Sequence, residues 1–474
     1  KLRRFLELVS EQGGHAEFNS PTYSTITVGC LADLYAYSKR DDVRALALRL
    51  EHRIWRGLCA RFHPASGQLA GPSSRAYMGD SCGHVFNARF PYHVAFGSGV
   101  CPLSPERFAY EVDTPLHRHH GDLCFILANG AWLAAPEFHV EEAVALELAN
   151  RKYPATAVDV AACALHWWPD EWQYDEAGRR PERCRPFVPQ AFGPELLTTY
   201  QTEDWSLGTA SGVIPFGDGG QTDSVFLTWR RTRPSRGAAI TLADTRTAFA
   251  RYAFNEDQPS AQADLFRESG FKTTVQQDGT AVVLYQPNIG TLSGITSMRL
   301  AIVLPIHLNE PDEIWLGERC LDGHTGASAA EEPVYVRDGH VYLAFRPLAL
   351  ANYGRAHAVT VERHAPFLTM NFYNYKGPAR SLNFPYQAMP CTRNGFVVEM
   401  ATDRDYADFA SFRRMVASAS LTDDIAAAIR TVTYRRSGLE LKIAHTPWDF
   451  TTIPPAWING IPRAIPAGAA VLPS

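Results

Sequence analysis

The spacing of apolar residues changes from a helical period to a strand period along the chain. In the first 150 residues apolar side chains recur every three or four positions, and Val43, Leu46, Leu50, Ile54 and Leu58 form one such series. This is the period of an amphipathic helix that packs one face against a core. The pattern predicts helices over residues 21–37, 41–61, 122–133 and 140–150. Short turns between successive helices favour antiparallel neighbours.

From about residue 198 onward, short β-rich runs alternate with turn signals. Val334-Tyr335-Val336 and Val341-Tyr342-Leu343 flank Asp338-Gly339, a dipeptide that favours a tight hairpin turn. One helical pattern, over residues 405–417, interrupts the strands. Many strands without alternating helices predict antiparallel sheets packed face to face in a large β-sandwich.

The change of period divides the 474 residues into two parts. We predict an α-helical domain over residues 1–168, a crossover rich in Trp, Arg and Pro over 169–197, and an antiparallel β-sandwich domain over 198–474. Between residues 62 and 120 the helical period fades, and a long segment rich in Gly, Pro, His and aromatic residues follows. Such segments are usually functional when they occur in compact domains.

Composition narrows the classes of partner. The 45 basic and 50 acidic side chains give a net charge of −5, and without a basic run nucleic acid is not an expected partner. The sequence contains no run of eighteen apolar residues, so it predicts no membrane-spanning helix. The nine cysteines are scattered without a C-x-x-C pair, which excludes a zinc ribbon or a disulfide scaffold. Removal of an upstream signal peptide would favour a secreted or periplasmic location; the sequence leaves the oligomeric state open.

The stretch LAGPSSRAYMGDSCGH, residues 69–84, concentrates chemically active side chains. It places Arg75, Tyr77, Asp80 and His84 within ten residues, with glycine and proline between them. Such a backbone does not continue a helix, so we expect a loop. A cation, a phenol, a carboxylate and an imidazole in one loop suit the binding of an acidic ligand and proton transfer.

Further candidates lie on both sides of this loop. Asn19 precedes Ser20-Pro21 at a helix start, where capping is the commoner role, and Tyr23 follows on the apolar face of that helix. His119 and His120 belong to an H-x-H-H cluster, whose imidazoles suit proton transfer or metal binding although exposed loop histidines are common. Tyr200 and Trp205 stand at the start of the strand-rich part, where their loops could cover a cleft.

The order of domains resembles that of the (α/α)-toroid polysaccharide lyases, the heparinase II/III-like and alginate-lyase-like families. Its local support is Phe18-Asn19-Ser20-Pro21-Thr22-Tyr23 together with Gly71-Pro72-Ser73-Ser74-Arg75-Ala76-Tyr77. The resemblance implies an α+β multidomain fold in which an incomplete toroid of helical hairpins precedes the sandwich. It also implies a lyase that cleaves an acidic, uronate-containing glycan by β-elimination.

In such a lyase one group neutralises the C5 carboxylate, and Tyr or His side chains remove the C5 proton and protonate the leaving oxygen. On this basis Tyr77, His120, Asn19 and Arg75 are the predicted catalytic residues. The predicted substrate-binding residues are Tyr23, Asp80, His84, His119, Tyr200 and Trp205. Catalysis needs no cofactor, and a structural metal is left open.

Two alternatives remain at this point. A glycoside hydrolase would need two carboxylates beside the glycosidic bond, and Asp80, Asp113, Asp122 and Glu203 are available. A carbohydrate-binding protein without catalysis would use the aromatic residues and the sandwich surface.

Overall fold

Strands dominate the computed structural model of the protein: among the residues that it describes, 45% lie in strands and 22% in helices. The structure describes residues 2–3, 6, 17–77, 81–83, 86–101, 130–161, 194–212, 221–233, 244–255, 268–287, 290–384, 391–447, 449 and 452–466. The helices are α1 (Tyr23–Tyr37), α2 (Asp41–Ala60), α3 (Phe86–Phe96), α4 (Glu142–Ala149) and α5 (Phe409–Ser418). None of the helices in these ranges is long and apolar enough to span a membrane.

The described helices of the N-terminal part form one packed group, and residues 122–129 of the helix predicted over 122–133 lie outside the described residues. Helices α1 and α2 pack against each other, α3 packs against α1, and α4 packs against α2. Their shared core is closed around Leu50, Trp55 and Tyr92. The predicted α/α toroid of helical hairpins is therefore wrong for the described chain. Helical periodicity predicts that a segment forms a helix with a buried face, but it does not say whether those faces close into a ring.

All sheets are antiparallel, and their strands follow the chain in hairpins and longer connections. The first strands are β1 (Phe62–His63), β2 (Gln68–Leu69), β3 (Ala155–Ala161), β4 (Glu195–Gln201), β5 (Trp205–Ser211), β6 (Val225–Arg230), β7 (Thr245–Phe254), β8 (Gly270–Gln277), β9 (Thr280–Pro287) and β10 (Gly290–Pro305). The next are β11 (Glu313–Leu316), β12 (Arg319–Cys320), β13 (Gly326–Ser328), β14 (Val334–Asp338), β15 (Val341–Pro347), β16 (Val359–His364), β17 (Phe367–Phe384) and β18 (Asn394–Thr402). The last are β19 (Ser420–Ala426), β20 (Ile429–Arg436), β21 (Leu439–His445), β22 (Ala456–Ile458) and β23 (Ile461–Pro462).

A nine-stranded sheet forms the surface on which the helical part rests. Its order is β13-β16-β17-β10-β7-β6-β5-β4-β3. Strand β3 comes from the segment assigned by sequence to the helical domain, and it pairs with β4 at the edge of the sheet. The sheet thus begins at Ala155 in the chain, before the predicted crossover.

A seven-stranded sheet, β12-β11-β14-β15-β18-β9-β8, faces the nine-stranded sheet. The largest core lies between them and includes Leu227, Leu300, Val283 and Leu343, each at most 1% exposed. A five-stranded sheet, β19-β20-β21-β22-β23, covers part of the other side of the seven-stranded sheet. Burial on both faces explains why several strands are continuously apolar instead of alternating.

The hairpin predicted at Asp338-Gly339 is confirmed, since β14 and β15 pair directly across it. Helices α1 and α2 also coincide with the predicted segments. The long segment after residue 62 holds more regular structure than predicted, because it contains the β1–β2 hairpin and helix α3. Helix α3 contains Pro91, a residue that normally argues against a helix interior.

Candidate active site

The loop of residues 71–77, here called the 71–77 loop, lies directly on the nine-stranded sheet. Ser73 forms an isolated antiparallel bridge with Asp223, and the Ala76 amide donates to the Gln221 carbonyl oxygen at 2.9 Å. A Cβ atom on Gly71 would lie 2.3 Å from Cβ of Phe226. Only glycine allows this approach, so the loop sequence fixes how closely the helical part meets the sheet.

Asn19 anchors the 71–77 loop to the start of helix α1. Its side-chain nitrogen donates to the Pro72 carbonyl oxygen at 3.0 Å and to the Ser73 hydroxyl at 3.1 Å. The residue is 7% exposed and has a φ of 46°, a conformation that Asn tolerates better than most residues. The amide is therefore engaged in positioning the loop.

Tyr23, Arg75 and Tyr77 form a hydrogen-bonded group that we call the tyrosine–arginine cluster. The two phenol oxygens lie 3.0 Å apart. Nη2 of Arg75 donates to the Tyr23 oxygen at 2.8 Å and to the Tyr77 oxygen at 3.3 Å. The guanidinium also stacks over the Tyr23 ring, 4.5 Å from its centre. Helix α1 thus contributes one phenol, and the loop contributes the cation and the other phenol.

The cluster sets the protonation of Tyr77. Burial and the hydrogen bond with Tyr23 raise the pKa of Tyr77 above its usual value, while the charge of Arg75 opposes that rise. Tyr77 is 7% exposed, and its phenol therefore holds its proton at neutral pH. The nearest described carboxylate to Arg75 is that of Glu17, 4.0 Å from Nε.

The backbone of Arg75 is strained, with a φ of 50°. A left-handed conformation costs energy for a long side chain and persists only where the surrounding contacts hold it. Such outliers concentrate at functional sites. Asn19, which anchors the loop beside the cluster, is a second non-glycine residue at positive φ.

A buried ion pair supports the segment that follows Tyr77. Arg251 of β7 donates through Nη2 to Asp223 at 2.7 Å and to the Ala76 carbonyl oxygen at 3.3 Å. Ser81 donates to the second Asp223 oxygen at 2.6 Å. Burial raises the pKa of Asp223, and the neighbouring Arg251 counteracts this rise. Sequence reasoning missed this pair, although a charged residue inside the apolar strand Phe249-Ala-Arg-Tyr-Ala was a visible signal.

The structure brings together four of the predicted site residues: Asn19, Tyr23, Arg75 and Tyr77. Four others lie outside the described residues, and their predicted roles remain predictions: Asp80, His84, His119 and His120.

The structure does not bring Tyr200 and Trp205 to the cluster. Thr199 faces the helical part, since its hydroxyl donates to the Gly71 carbonyl oxygen at 2.8 Å. Tyr200 therefore points to the other face of β4, where its ring packs 5.5 Å from the Trp205 ring. Trp205 is 5% exposed and belongs to the core between the two large sheets. Tyr200 is partly buried against the same core. Both residues therefore lie away from the cluster, and the substrate-binding role predicted for them stays a prediction.

A second polar group occupies the same outer face of the nine-stranded sheet, nearer to β16. Arg299 donates to the Tyr373 hydroxyl at 2.7 Å, and Lys376 donates to Glu362 at 3.2 Å. Glu362, Tyr373 and Lys376 line a pocket of about 230 Å³. This group offers a tyrosine–arginine contact like that of the cluster, but without a second phenol bonded to it among the described residues.

Within the described ranges, no group of three His, Cys, Asp or Glu side chains is arranged to hold a metal ion. A family model described as a domain of unknown function (DUF8769) matches residues 2–101. That segment contains Asn19 and the whole tyrosine–arginine cluster. The comparison with curated proteins found no match.

Proposed function

We propose that the protein is a lyase that cleaves a uronate-containing glycan by β-elimination, with the tyrosine–arginine cluster as its catalytic centre. The observation that carries the proposal is the contact of one guanidinium with two phenols that are bonded to each other. A carboxylate-binding cation and a proton-transfer group are the two parts that this reaction requires within one site.

Arg75 is the group assigned to the substrate carboxylate. When the C5 proton leaves, negative charge spreads onto the C5 carboxylate, and a fixed cation stabilises that charge. A guanidinium can bind a carboxylate through two parallel hydrogen bonds. The guanidinium of Arg75 stacks on the Tyr23 ring, and the backbone of Arg75 is fixed in a strained conformation. A cation that is already in position can stabilise the charge of the transition state without moving.

Tyr77 is assigned as the acid. The C4–O bond breaks as the C4=C5 double bond forms, and the departing oxygen takes a proton. Because its pKa is raised, Tyr77 still carries a proton at neutral pH, and Arg75 stabilises the phenolate that remains. Tyr23, which is bonded to Tyr77 and partly exposed, completes the route by which the proton is replaced from solvent. His120 keeps its predicted role as the base.

Asn19 is assigned a positioning role. Its Nδ2 hydrogens are used by the Pro72 carbonyl and the Ser73 hydroxyl, so the carboxylate contact falls to Arg75. The glycoside hydrolase alternative needs two carboxylates about 5–9.5 Å apart. Among the described residues, Glu17 is the carboxylate in contact with the cluster, while the candidates Asp80, Asp113 and Asp122 lie outside the described residues.

The test is incubation with a panel of uronate-containing polysaccharides while ultraviolet absorbance of the new double bond is followed. The control is each polymer with its carboxyl groups reduced to alcohols, which removes the contact for Arg75. Absorbance that rises with the acidic polymer alone supports the proposal. Reducing ends released without absorbance would replace it with hydrolysis, and binding without either product would indicate a non-catalytic carbohydrate-binding protein.

A further inference from the structure

A small cavity lies between helix α2, the start of helix α1 and strands β3 and β4. Its volume is about 40 Å³, and Phe18, Ile54, Leu58 and Leu197 provide apolar walls. A buried water needs roughly 10–15 Å³ of such space. The cavity therefore has room for about three water-sized particles.

The polar lining of the cavity is dominated by Arg61, which follows helix α2. Its side chain is 2% exposed. Nε and Nη2 of Arg61 are buried without a hydrogen-bond partner in the structure, while Nη1 donates to the Gly57 carbonyl oxygen at 3.3 Å. A buried guanidinium with unused donors is costly unless something accepts from it.

Asp159 of β3 compensates this charge only in part. Its carboxylate lies 3.7 Å from Nη1 of Arg61 and 3.4 Å from Nη2 of Arg53. Both distances exceed the 2.7–3.2 Å of a good N–H···O hydrogen bond. One carboxylate is thus shared between two guanidinium groups. Burial lowers the pKa of Arg61, Asp159 opposes that change, and the nearby charge of Arg53 adds to it.

We propose that this cavity binds one small monovalent anion of the size of chloride, held by Nε and Nη2 of Arg61. An anion makes charge-assisted hydrogen bonds with the guanidinium, which are stronger than those of a water molecule. It also offsets the repulsion between Arg53 and Arg61. The remaining space suits a water that donates to Oδ1 of Asn19, because Asn19 also lines the cavity and its Oδ1 is buried without a partner.

The cavity borders Asn19, which holds the 71–77 loop, and its lining includes no member of the tyrosine–arginine cluster. Asn19 lines the cavity, and its Nδ2 donates to the Pro72 carbonyl oxygen of the 71–77 loop. Occupancy of the cavity therefore stabilises the residue that fixes the loop. The inference concerns binding and folding stability, so it does not depend on the proposed reaction.

The first experiment compares thermal unfolding in sodium chloride and sodium gluconate at equal ionic strength. Gluconate, with six carbons, is too large for the cavity. We expect the melting temperature to rise by about 2–4 °C with chloride and to saturate, as expected for a ligand that binds the folded state. Equal melting temperatures in the two salts would overturn the proposal.

The second experiment locates the ion through the anomalous scattering of bromide in crystals of the full chain. We expect a peak in the cavity within hydrogen-bond distance of Arg61. Density explained by waters alone, or a bromide found only elsewhere, would overturn the proposal.

The third comparison uses two buried arginines that are each replaced by methionine. The Arg61→Met variant should lose the difference between chloride and gluconate. Arg299→Met should keep it, because Arg299 is equally buried but lies on β10, away from the cavity. Loss of the difference in both variants would show that the chloride effect does not belong to this site. If Arg61→Met does not fold, the bromide map of the unaltered protein decides.

Discussion

The phenol oxygens of Tyr23 and Tyr77 lie 3.0 Å apart, although 54 positions separate the two residues in the chain. Helix α1 carries the first, and the 71–77 loop carries the second. Arg75 donates to both. The catalytic predictions follow from the proposal that these two phenols transfer a proton beside a fixed cation.

Replacement of Tyr77 by phenylalanine should remove the acid and leave the fold intact. We expect kcat/KM on the responsive polymer to fall by about 10²–10⁴, the usual contribution of a positioned proton-transfer group. The measurement is the initial rate of ultraviolet absorbance, with circular dichroism as the check on folding.

Tyr373→Phe is the matched control for Tyr77→Phe, because Tyr373 is also buried and also accepts a hydrogen bond from an arginine, Arg299. It should retain activity. A loss confined to Tyr373→Phe would place the chemistry in the pocket near β16 and contradict the assignment to the cluster.

Arg75→Asn separates the charge of this residue from its backbone strain. Asn adopts a φ near the observed 50° more readily than Arg does, so backbone relief offsets part of the lost contact energy. We expect activity on acidic polymers to be lost while the melting temperature changes little. Activity equal to that of the unaltered protein would exclude Arg75 as the carboxylate contact. Arg44→Asn, at a cation that stacks on Tyr35 of helix α1, is a control expected to leave activity unchanged.

Asn19→Gly tests the anchoring of the 71–77 loop. Glycine accepts the φ of 46° but cannot donate to Pro72 and Ser73, so we expect a loss of about 1–3 kcal/mol in the free energy of unfolding. Urea unfolding gives this value. If Asn19 acts only by positioning, KM should rise more than kcat falls. A fall in kcat comparable to that of Tyr77→Phe would instead support the predicted catalytic role.

Arg251→Met should leave Asp223 as an unpaired charge beneath the loop. Both residues are at most 1% exposed, and breaking such a pair costs about 3–5 kcal/mol. The double variant Arg251→Met, Asp223→Asn should recover part of that stability, because the buried charge is gone. Urea unfolding of both variants makes the comparison. No recovery in the double variant would show that shape, and not charge, determines the effect.

Glu195 makes stability depend on pH in a specific window. Burial raises the pKa of this carboxyl from 4.5 to about 8. The folded state therefore binds more protons than the unfolded state between these values, and stability falls as pH rises through them. The free energy of unfolding relative to Glu195→Gln should decrease by up to about 1.4 kcal/mol per pH unit.

Urea unfolding at several pH values between 5 and 8 measures this difference. Glu195→Gln provides the reference because it cannot titrate, and it shares the opposing contribution of His63, whose pKa is lowered to about 4 by burial. A constant difference between the two proteins across the window would refute the predicted titration of Glu195.

Local sequence determined the local structure well. The ends of α1 and α2 follow from their apolar period, and the β14–β15 hairpin follows from Asp338-Gly339. These features depend on interactions within a few residues of chain. Helix α3 was missed because Pro91 argues against it locally, while contacts such as the stacking of Tyr92 on Phe62 at 4.4 Å hold it in place.

Local sequence also identified the residue types of the candidate site but not their arrangement. Arg75 and Tyr77 stand out as a reactive pair in a loop, and Asn19 stands at a helix start. Their convergence depends on a contact between segments about 55 residues apart. The support from Asp223 and Arg251 could not be foreseen, because the pairing of β6 with β7 brings together Arg251 of β7 and Asp223, which precedes β6, and the sequence does not state that pairing.

Tertiary structure alone decided which face each strand presents and how the helices associate. Trp205 and Leu207 alternate with Ser206 and Gly208 along β5, so the sequence places Trp205 on an apolar face. All seven residues of β5 are buried, and only the fold decides that this face points into the sandwich. The helices likewise pack on the sheet and on each other without forming the predicted ring. The sequence by itself determined the helices, the hairpin and the chemical character of the 71–77 loop, because these depend on neighbouring residues. The contact of Tyr23 with Tyr77 required the fold, because only long-range packing places the loop against helix α1.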